Sequence, residues 1–490
     1  MTSLLTTRRA FVAVVAIGLF TMAARNVTDP DVWWHLRTGQ LILQNHAVFH
    51  TDPYSFTKLG QPWVNHEWLS DVLIFSIYRL AGWGGLIVTF AAITSAAFML
   101  VFLRCEGGPY LAGAFAVWAA TASAPAWGVR PQTFSLFLAS LFLFLLERSY
   151  ARPRVLWYTV PLMLIWVNLH AGFAVGIAFM ALFLAGDVLD IALGFGEWSQ
   201  FQGRLRKLSI AIVGCLAVVP LNPYGMRMYW YPLKTVYSKS IEGYISEWSS
   251  PNFHQSMYLP ALLLLLAILV AAALSPLRLR PRDVLLLSVT TWAALHSARH
   301  VPLFALVAAP ILGKMVYAWS REKRNLFDSG IKAPPQNSGR QLVNGIVVAA
   351  FLVFGAFRVG HVLNAQSDVE KRSFPFSAVS FLQENRLPGP LFNSYNWGGY
   401  LIWRLYPEYP VYIDGRADLY GDGLLDQFAS IYQISNSSWR ASLDGLAIRT
   451  VLVPSDAPIA SALRLSPDWK QVYEDRQAVI FCETNHQVNQ

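Results

Sequence analysis

The chain has 490 residues, 54% hydrophobic and only 14% charged, which excludes a single water-soluble domain. The net charge of +9 sits in short connections between apolar runs, which argues against nucleic acid as a partner and for the orienting role of Lys and Arg in membrane proteins. The three cysteines are scattered, with neither a metal-ligand spacing nor a disulfide framework.

The first apolar run, 10–24, follows Arg8 and Arg9 and reads as an uncleaved span, since A-A-R-N is a poor cleavage context. An outer loop, 25–83, comes next and concentrates acidic, His and Trp residues. It opens T-D-P-D-V-W-W-H-L-R-T-G-Q-L-I-L, where Val32, Leu36, Gly39 and Leu43 predict an amphipathic helix with one side for a membrane surface. Asp31 and His35 share another face of that helix. A second helix is expected from near Asn65, with His66 and Glu67 at its mouth, and the apolar stretch 69–82 closes the loop as an interfacial helix. Capping explains either aspartate alone: Asp29 before Pro30, or Thr28 with Asp31 as a capping box. Two carboxylates together with His35, His66 and Glu67 in one membrane-proximal loop favour chemistry.

Hydropathy predicts about eleven spans, each near the ~20 residues that cross a bilayer as helix. They fall at 10–24, 84–103, 109–126, 132–147, 155–169, 172–193, 208–221, 257–274, 284–298, 301–318 and 342–360. With the N-terminus cytoplasmic, the basic residues gather in the inner connections, and the first loop faces away from the cytoplasm. A Pro/Gly/Ser linker at 327–340 belongs to the inner side. The transmembrane part is expected to be 1–360 and a small extracytoplasmic α/β domain 361–490. Short β-like runs there, P-L-F-N-S, P-V-Y-I-D-G, T-V-L-V-P and Q-A-V-I-F-C-E, alternate with helical stretches such as G-L-L-D-Q-F-A-S-I-Y-Q.

Ionisable residues at span ends are functional candidates. On the outer side these are Arg130, His170, Arg299 and His300; snorkelling explains each singly, and together they suit a lipid phosphate, whose oxygens match guanidinium forks. The outer loop 221–254 adds Glu242, Glu247 and His254 among aromatics, a mixture that suits either sugar binding or an interfacial belt. Asp187 and Asp190, near an inner span end, read as structural. In the tail, Asp414, Arg416 and Asp418 surround turn glycines, and a salt-bridged turn is the plain explanation.

The first loop resembles that of the GT-C superfamily, multispanning glycosyltransferases that use polyprenyl-phosphate-linked sugars outside the cytoplasm. D-P-D-V-W-W-H-L-R-T-G-Q-L-I-L followed by N-H-E-W-L-S-D-V-L-I-F-S-I-Y-R-L-A-G looks like their acidic pair and two juxtamembrane helices, with Pro30 departing from the usual adjacent Asp-Glu. In the tail, N-W-G-G-Y-L-I followed by V-Y-I-D-G-R-A-D is similar to a region of oligosaccharyltransferase catalytic subunits, with Trp397, Gly399 and Tyr400 keeping part of the pattern. That pattern's acidic residue is missing, so recognition of an Asn-x-Ser/Thr acceptor is not carried over. The short loop 127–131 also lacks the second acidic metal motif of those transferases.

The resemblance implies a polytopic α-helical, GT-C-like membrane protein with a C-terminal extracytoplasmic α/β domain, in the cytoplasmic (inner) membrane. The expected activity is transfer of a sugar from a polyprenyl-phosphate-linked donor to an extracytoplasmic acceptor. Asp29 or Asp31 is the candidate base, and Arg130 or Arg299 the candidate partner of the phosphate. The residues His35, His66, Glu67, His170 and His300 belong with the donor. An acceptor region is expected from Glu242, Glu247, Trp397, Tyr400, Asp414 and Arg416. No cofactor is required by the pattern, although Mg or Mn bridging Asp29 and Asp31 would suit two carboxylates. The alternatives are a polytopic transporter or assembly subunit for envelope polymers, and a lipid-linked glycan ligase or polymerase.

Overall fold

A computed structural model describes residues 5–236, 245–322 and 338–484. In chain order the helices are α1 (Thr7–Ala23), α2 (Val32–Asn45), α3 (Trp68–Arg104), α4 (Pro109–Ser123), α5 (Gln132–Arg148), α6 (Thr159–Leu169) and α7 (Phe173–Ala192). Then come α8 (Trp198–Val218), α9 (Tyr231–Val236), α10 (Leu259–Leu274), α11 (Pro281–His296), α12 (Val301–Glu322) and α13 (Ser338–Ser373). The tail adds α14 (Phe376–Asn385), β1 (Leu391–Asn393), α15 (Gly398–Leu405), α16 (Ala417–Gln433), α17 (Trp439–Gly445), β2 (Thr450–Pro454), α18 (Pro458–Arg464), β3 (Trp469–Glu474) and β4 (Ala478–Glu483).

Every segment expected to span is helical. Among the described residues, five helices are each long and apolar enough to cross a membrane: Trp68–Arg104, Phe173–Ala192, Ser256–Leu274, Ala298–Glu322 and Ser338–Ser373. The expected interfacial helix 69–82 and the span after it form one run, α3, broken at Gly82 with φ 58° and ψ −155°. That backbone region is open to glycine alone, so the break is written into the sequence as G-W-G-G. Most of the expected linker 327–340 lies outside the described residues.

The described residues form two compact units. One comprises Met1–Arg25, Ile87–Pro232 and Ser246–Leu363. Its most enclosed helix is α12, whose Phe304, Leu306, Val307, Leu312 and Met315 are buried and which packs on α4, α10 and α11. On α10, Leu263, Leu266, Leu269 and Val270 are exposed, and on α13 Leu342, Val343, Ile346, Val353 and Phe357 are. Such apolar outer faces are those of helices bathed in hydrocarbon. Charged groups inside this unit are paired. Arg104 grips Glu147 through two hydrogen bonds of 3.0 and 2.8 Å, and Asp187 is bonded by Tyr150 and paired with Arg204. The structural reading of Asp187 is what its surroundings support.

The other unit comprises Asn26–Leu86, Leu233–Ile245 and Asn364–Gln490, so the first loop and the tail share one core although the chain separates them widely. At its centre the Trp33 indole meets Trp83, Phe374 and Tyr400 edge-on at 5.1, 5.3 and 4.8 Å. The expected membrane-facing stripe of α2 is corrected here. Val32 and Leu36 are buried in protein, and Gly39 packs against the Asp71 backbone so closely that a Cβ would collide with it. The stripe is apolar because it faces α3 and α15, not lipid.

The tail sheet has the order β1-β2-β4-β3, with β1 and β2 parallel and the other pairs antiparallel. Three of the expected β-runs are strands, but P-V-Y-I-D-G is not. Its Val411 instead exchanges backbone hydrogen bonds with Tyr54 and Phe56 of the first loop, both 3.1 Å. The Asn393 side chain takes the Tyr412 N–H and donates to the Ile413 carbonyl, both 2.8 Å. Strand W-K-Q-V-Y-E was not anticipated, because its burial is irregular and a bulge interrupts its pairing near Gln471.

Arg416 joins these two segments. Its Nε and one terminal nitrogen donate to Asp414 at 2.8 and 2.7 Å, and its other nitrogen lies 2.8 Å from Asp52. The guanidinium also stacks over Trp63 and Tyr54, 4.5 and 5.0 Å from the ring centres. All three charged groups are buried. Arg416→Ala would leave Asp52 and Asp414 buried without their cation, and should destabilise the protein by about 3–5 kcal/mol. Thermal unfolding in detergent checks this: a melting temperature equal to wild type would show that the two carboxylates find other partners.

Candidate functional site

The D-P-D turn ends the first extended segment and starts α2. Asp29 Oδ1 accepts the Asp31 N–H at 2.9 Å, and the Asp31 carbonyl accepts the first helical N–H, from His35, at 3.2 Å. Asp29 thus closes a turn ahead of the helix, whose cap position is Asp31 and whose first residue is Val32, so neither expected cap, Asp29 with Pro30 at the first helical position nor a capping box through the Asp31 side chain, is the one that forms. The Asp31 carboxylate makes no capping bond. It lies against the tail instead, where a Cβ on Gly415 would overlap it. The neighbouring Pro30 carbonyl lies against Gly399 in the same way. The two sequence patterns, D-P-D and N-W-G-G-Y with V-Y-I-D-G-R-A-D, are thus halves of one structure, and the tail glycines are small because the turn occupies the space.

Beneath the turn, α2 and α3 are joined by a buried carboxylate–imidazole set. His35 Nδ1 lies 2.6 Å from Asp71 Oδ1, and Asn65 donates to the other Asp71 oxygen at 2.8 Å. His35 Nε2 is 3.8 Å from Glu67, whose second oxygen is 3.3 Å from His66 Nε2. Exposure rises outward, from 0% for the Asp71 side chain and 2% for His35 to 17% for His66. So His35 is enclosed, and His66 is the most exposed member of the set. Asp71 was not singled out from the sequence; a carboxylate in the apolar run W-L-S-D-V-L-I-F was the available signal.

Burial opposes a charge on His35, but its hydrogen bond to Asp71 and the charges of Asp71, Glu67 and Asp31 outweigh it and raise its pKa. Burial likewise opposes charging His66, and Glu67, with Asp418 behind it, raises the pKa overall. Beside them, burial and the charges of Asp31, Asp414 and Asp418 raise the Tyr395 phenol well above its usual value.

The tail candidates are less accessible than expected. Trp397 is buried, Tyr400 is stacked on Phe374 at 5.2 Å, and Asp414 and Arg416 are consumed by each other, Asp52 and the Tyr420 hydroxyl, 2.5 Å from Asp414. The salt-bridged turn describes this last pair, and burial removes all four from the reach of an acceptor. Asp52 was not anticipated either; it accepts hydrogen bonds from the Tyr54 and Ser55 amides and the Ser55 hydroxyl.

In the other unit, Arg130, Arg299 and His300 do come together, around a residue expected to serve the acceptor. Arg130 places two nitrogens on the Glu247 carboxylate at 2.5 and 3.3 Å. Arg299 lies over Trp248, 5.1 Å from its ring centre, and His300 meets the same ring edge-on. Hydrogen bonds from Ser297 to the Glu247 carbonyl and from the Ala298 amide to Ser249 fix this stretch. Burial opposes the Glu247 charge, but Arg130 and Arg299 prevail and lower its pKa. Glu242 lies outside the described residues. His170 is buried, and its Nδ1 receives the Gly172 N–H at 2.9 Å with the Ser135 hydroxyl at 2.7 Å. Because Nδ1 accepts the Gly172 N–H, the His170 ring proton is assigned to Nε2, and the Ser135 hydroxyl, which accepts from the Trp166 indole, donates to Nδ1.

No protein-family model matches the chain, and no curated protein matches it in sequence. Among solved structures it is similar to the archaeal oligosaccharyltransferase AglB from Archaeoglobus fulgidus, in complex with an inhibitory peptide and a dolichol-phosphate. The TM-score is 0.56 at 13% identity, over 97% of this chain and 74% of that one. It is also similar to ArnT from Cupriavidus metallidurans bound to undecaprenyl phosphate, with TM-score 0.50 at 14% identity over 96% of this chain and 97% of that one. The apo state of ArnT gives TM-score 0.51 at 14% identity over 96% of each chain. At these identities the likeness establishes the fold alone: a mostly helical protein with several helices apolar enough to cross a membrane and a small C-terminal sheet domain, built like AglB and ArnT.

One consequence of the buried pair is testable by pH. A raised histidine pKa gives stability that is complete below about pH 6.5 and is lost as pH rises through the native value. The gap in melting temperature between wild type and His35→Gln should therefore narrow from about pH 6 to about pH 9. A constant gap would mean that His35 carries no proton-linked stability.

Proposed function

We propose that the chain is a membrane glycosyltransferase that moves a sugar from a polyprenyl-phosphate-linked donor to an acceptor outside the cytoplasm, at the cytoplasmic (inner) membrane. The observation that carries this reading is the Asp31 carboxylate, half-buried at the head of α2 and not used for capping, in a fold shared with proteins solved with dolichol- and undecaprenyl phosphates. An acceptor hydroxyl or amine gives its proton to Asp31 as its oxygen or nitrogen bonds to the anomeric carbon. The bond from that carbon to the phosphate oxygen breaks, and the lipid phosphate leaves with the electron pair. Attack opposite the leaving group inverts the anomeric centre.

A leaving phosphate asks for positive charge, and Arg130 with Arg299 is the candidate source. The Glu247 carboxylate occupies the Arg130 fork as two phosphate oxygens would, so the donor must displace it. The carboxylates flanking Pro30, Asp29 and Asp31, are hard oxygen donors that fit Mg or Mn better than a soft metal. Such an ion, held by Asp29 and Asp31, would supply further positive charge toward a phosphate. The acceptor remains a class: an envelope glycan, a lipid or a protein.

Asp31→Asn should keep yield in detergent and lose turnover by roughly 10²–10⁴-fold, measured as sugar transfer in membranes. Asp29→Asn keeps an oxygen for the turn and should lose much less. Full transfer by Asp31→Asn would remove the base and favour a lipid-binding or transport role. In the second test, Arg130→Ala should weaken binding of undecaprenyl phosphate by about 2–5 kcal/mol, and Lys should rescue only in part. Glu247→Gln should tighten it. If neither change alters binding, the phosphate site lies elsewhere.

A further inference from the structure

The D-P-D turn does not define the position of its second carboxylate by itself. Asp29 fixes the backbone of the turn, yet the Asp31 side chain lies in a space bounded by the tail. That space exists only because position 415 has no side chain. Gly415 needs no unusual backbone conformation, since it is not among the glycines with positive φ. The requirement is close approach.

The segment carrying Gly415 is itself held on both sides by buried ion pairs and hydrogen bonds. Asp414 before it and Arg416 after it are locked together and to Asp52, with Tyr420 closing on Asp414. The Tyr395 hydroxyl donates to the Gly415 carbonyl at 3.2 Å, and Asn393 holds the Ile413 carbonyl at 2.8 Å. On the other side of the turn, Gly399 receives the Pro30 carbonyl. This seat meets the turn at two points.

We propose that Gly415 is a positioning residue for the Asp31 carboxylate, held in register by the Asp52–Arg416–Asp414 cluster, so that the tail sets the geometry of the base. This rests on the reading of Asp31 as base. A displacement of the carboxylate by about 1 Å is enough to cost about 10²-fold in rate.

The test uses the full chain in membranes, with Gly415→Ala, Arg416→Lys and Gly423→Ala beside Asp31→Asn. A Cβ at Gly423 meets nothing within 4 Å, so that variant reports the effect of a Gly-to-Ala change in open space. Gly415→Ala should lower kcat about 10²-fold with KM for the lipid-linked donor within about twofold, and should shift the acid limb of the pH–rate profile. Arg416→Lys keeps the charge but loses the fork, and should lower kcat about tenfold at unchanged KM, which guards the test should Gly415→Ala fold poorly. Gly423→Ala should match wild type. If Asp31→Asn loses turnover while Gly415→Ala and Arg416→Lys keep wild-type kcat and pH profile, the positioning role is overturned and the base stands. If Asp31→Asn keeps full turnover, the base reading fails and the positioning role falls with it.

Discussion

A single guanidinium, that of Arg416, is the constraint on which the unit formed by the first loop and the tail depends. It is 2% exposed, and it faces two carboxylates and two aromatic rings from segments far apart in the chain. One cation for two anions leaves an excess negative charge. Hydrogen bonds from the Tyr54 and Ser55 amides and from the Ser55 and Tyr420 hydroxyls meet it. Taking such a cluster out of water costs about what its internal attraction returns, so its consequence is geometric more than stabilising. A fork that must satisfy Asp414 and Asp52 together admits one register between first loop and tail. The backbone exchange of Val411 with Tyr54 and Phe56, and the seats for Pro30 and Asp31, follow from that register.

This explains which parts were legible in the sequence. Helices that answer to hydropathy were readable because each apolar segment decides its own structure in lipid. The D-P-D loop was readable because ionisable groups crowd there. What escaped were features settled by a distant partner. P-V-Y-I-D-G has the composition of a strand, but its hydrogen bonds go to the first loop and to the Asn393 side chain. The stripe of α2 has the period of a surface helix, but its Gly39 marks a protein neighbour at backbone distance. Asp52 stands in a plain context and gains meaning only from burial against Arg416, whereas Asp71 was marked by its apolar run but its partner, His35, is set by the fold.

The likeness between Asp29 and Asp31 in the sequence also dissolves in the structure. Both are half-buried, both flank Pro30, and either can cap. Backbone geometry divides them: the first carboxylate closes the turn, which leaves the second to face the tail. The turn at Pro30 thus gives the two acids different surroundings.

The surroundings of that second carboxylate contain their own proton-dependent charge. With both imidazoles protonated, His35 and His66 balance Asp71 and Glu67, and the set beneath the turn is neutral. Deprotonating both leaves two net negative charges there, next to a turn that already carries Asp29 and Asp31. Asp31 is among the groups that act on His35, so the effect is mutual. Under the proposed function, a pH dependence of transfer in the imidazole range has two candidate origins, this set and a histidine in contact with substrate. The two origins differ in one respect: screening by salt leaves a buried set nearly untouched and weakens an exposed one.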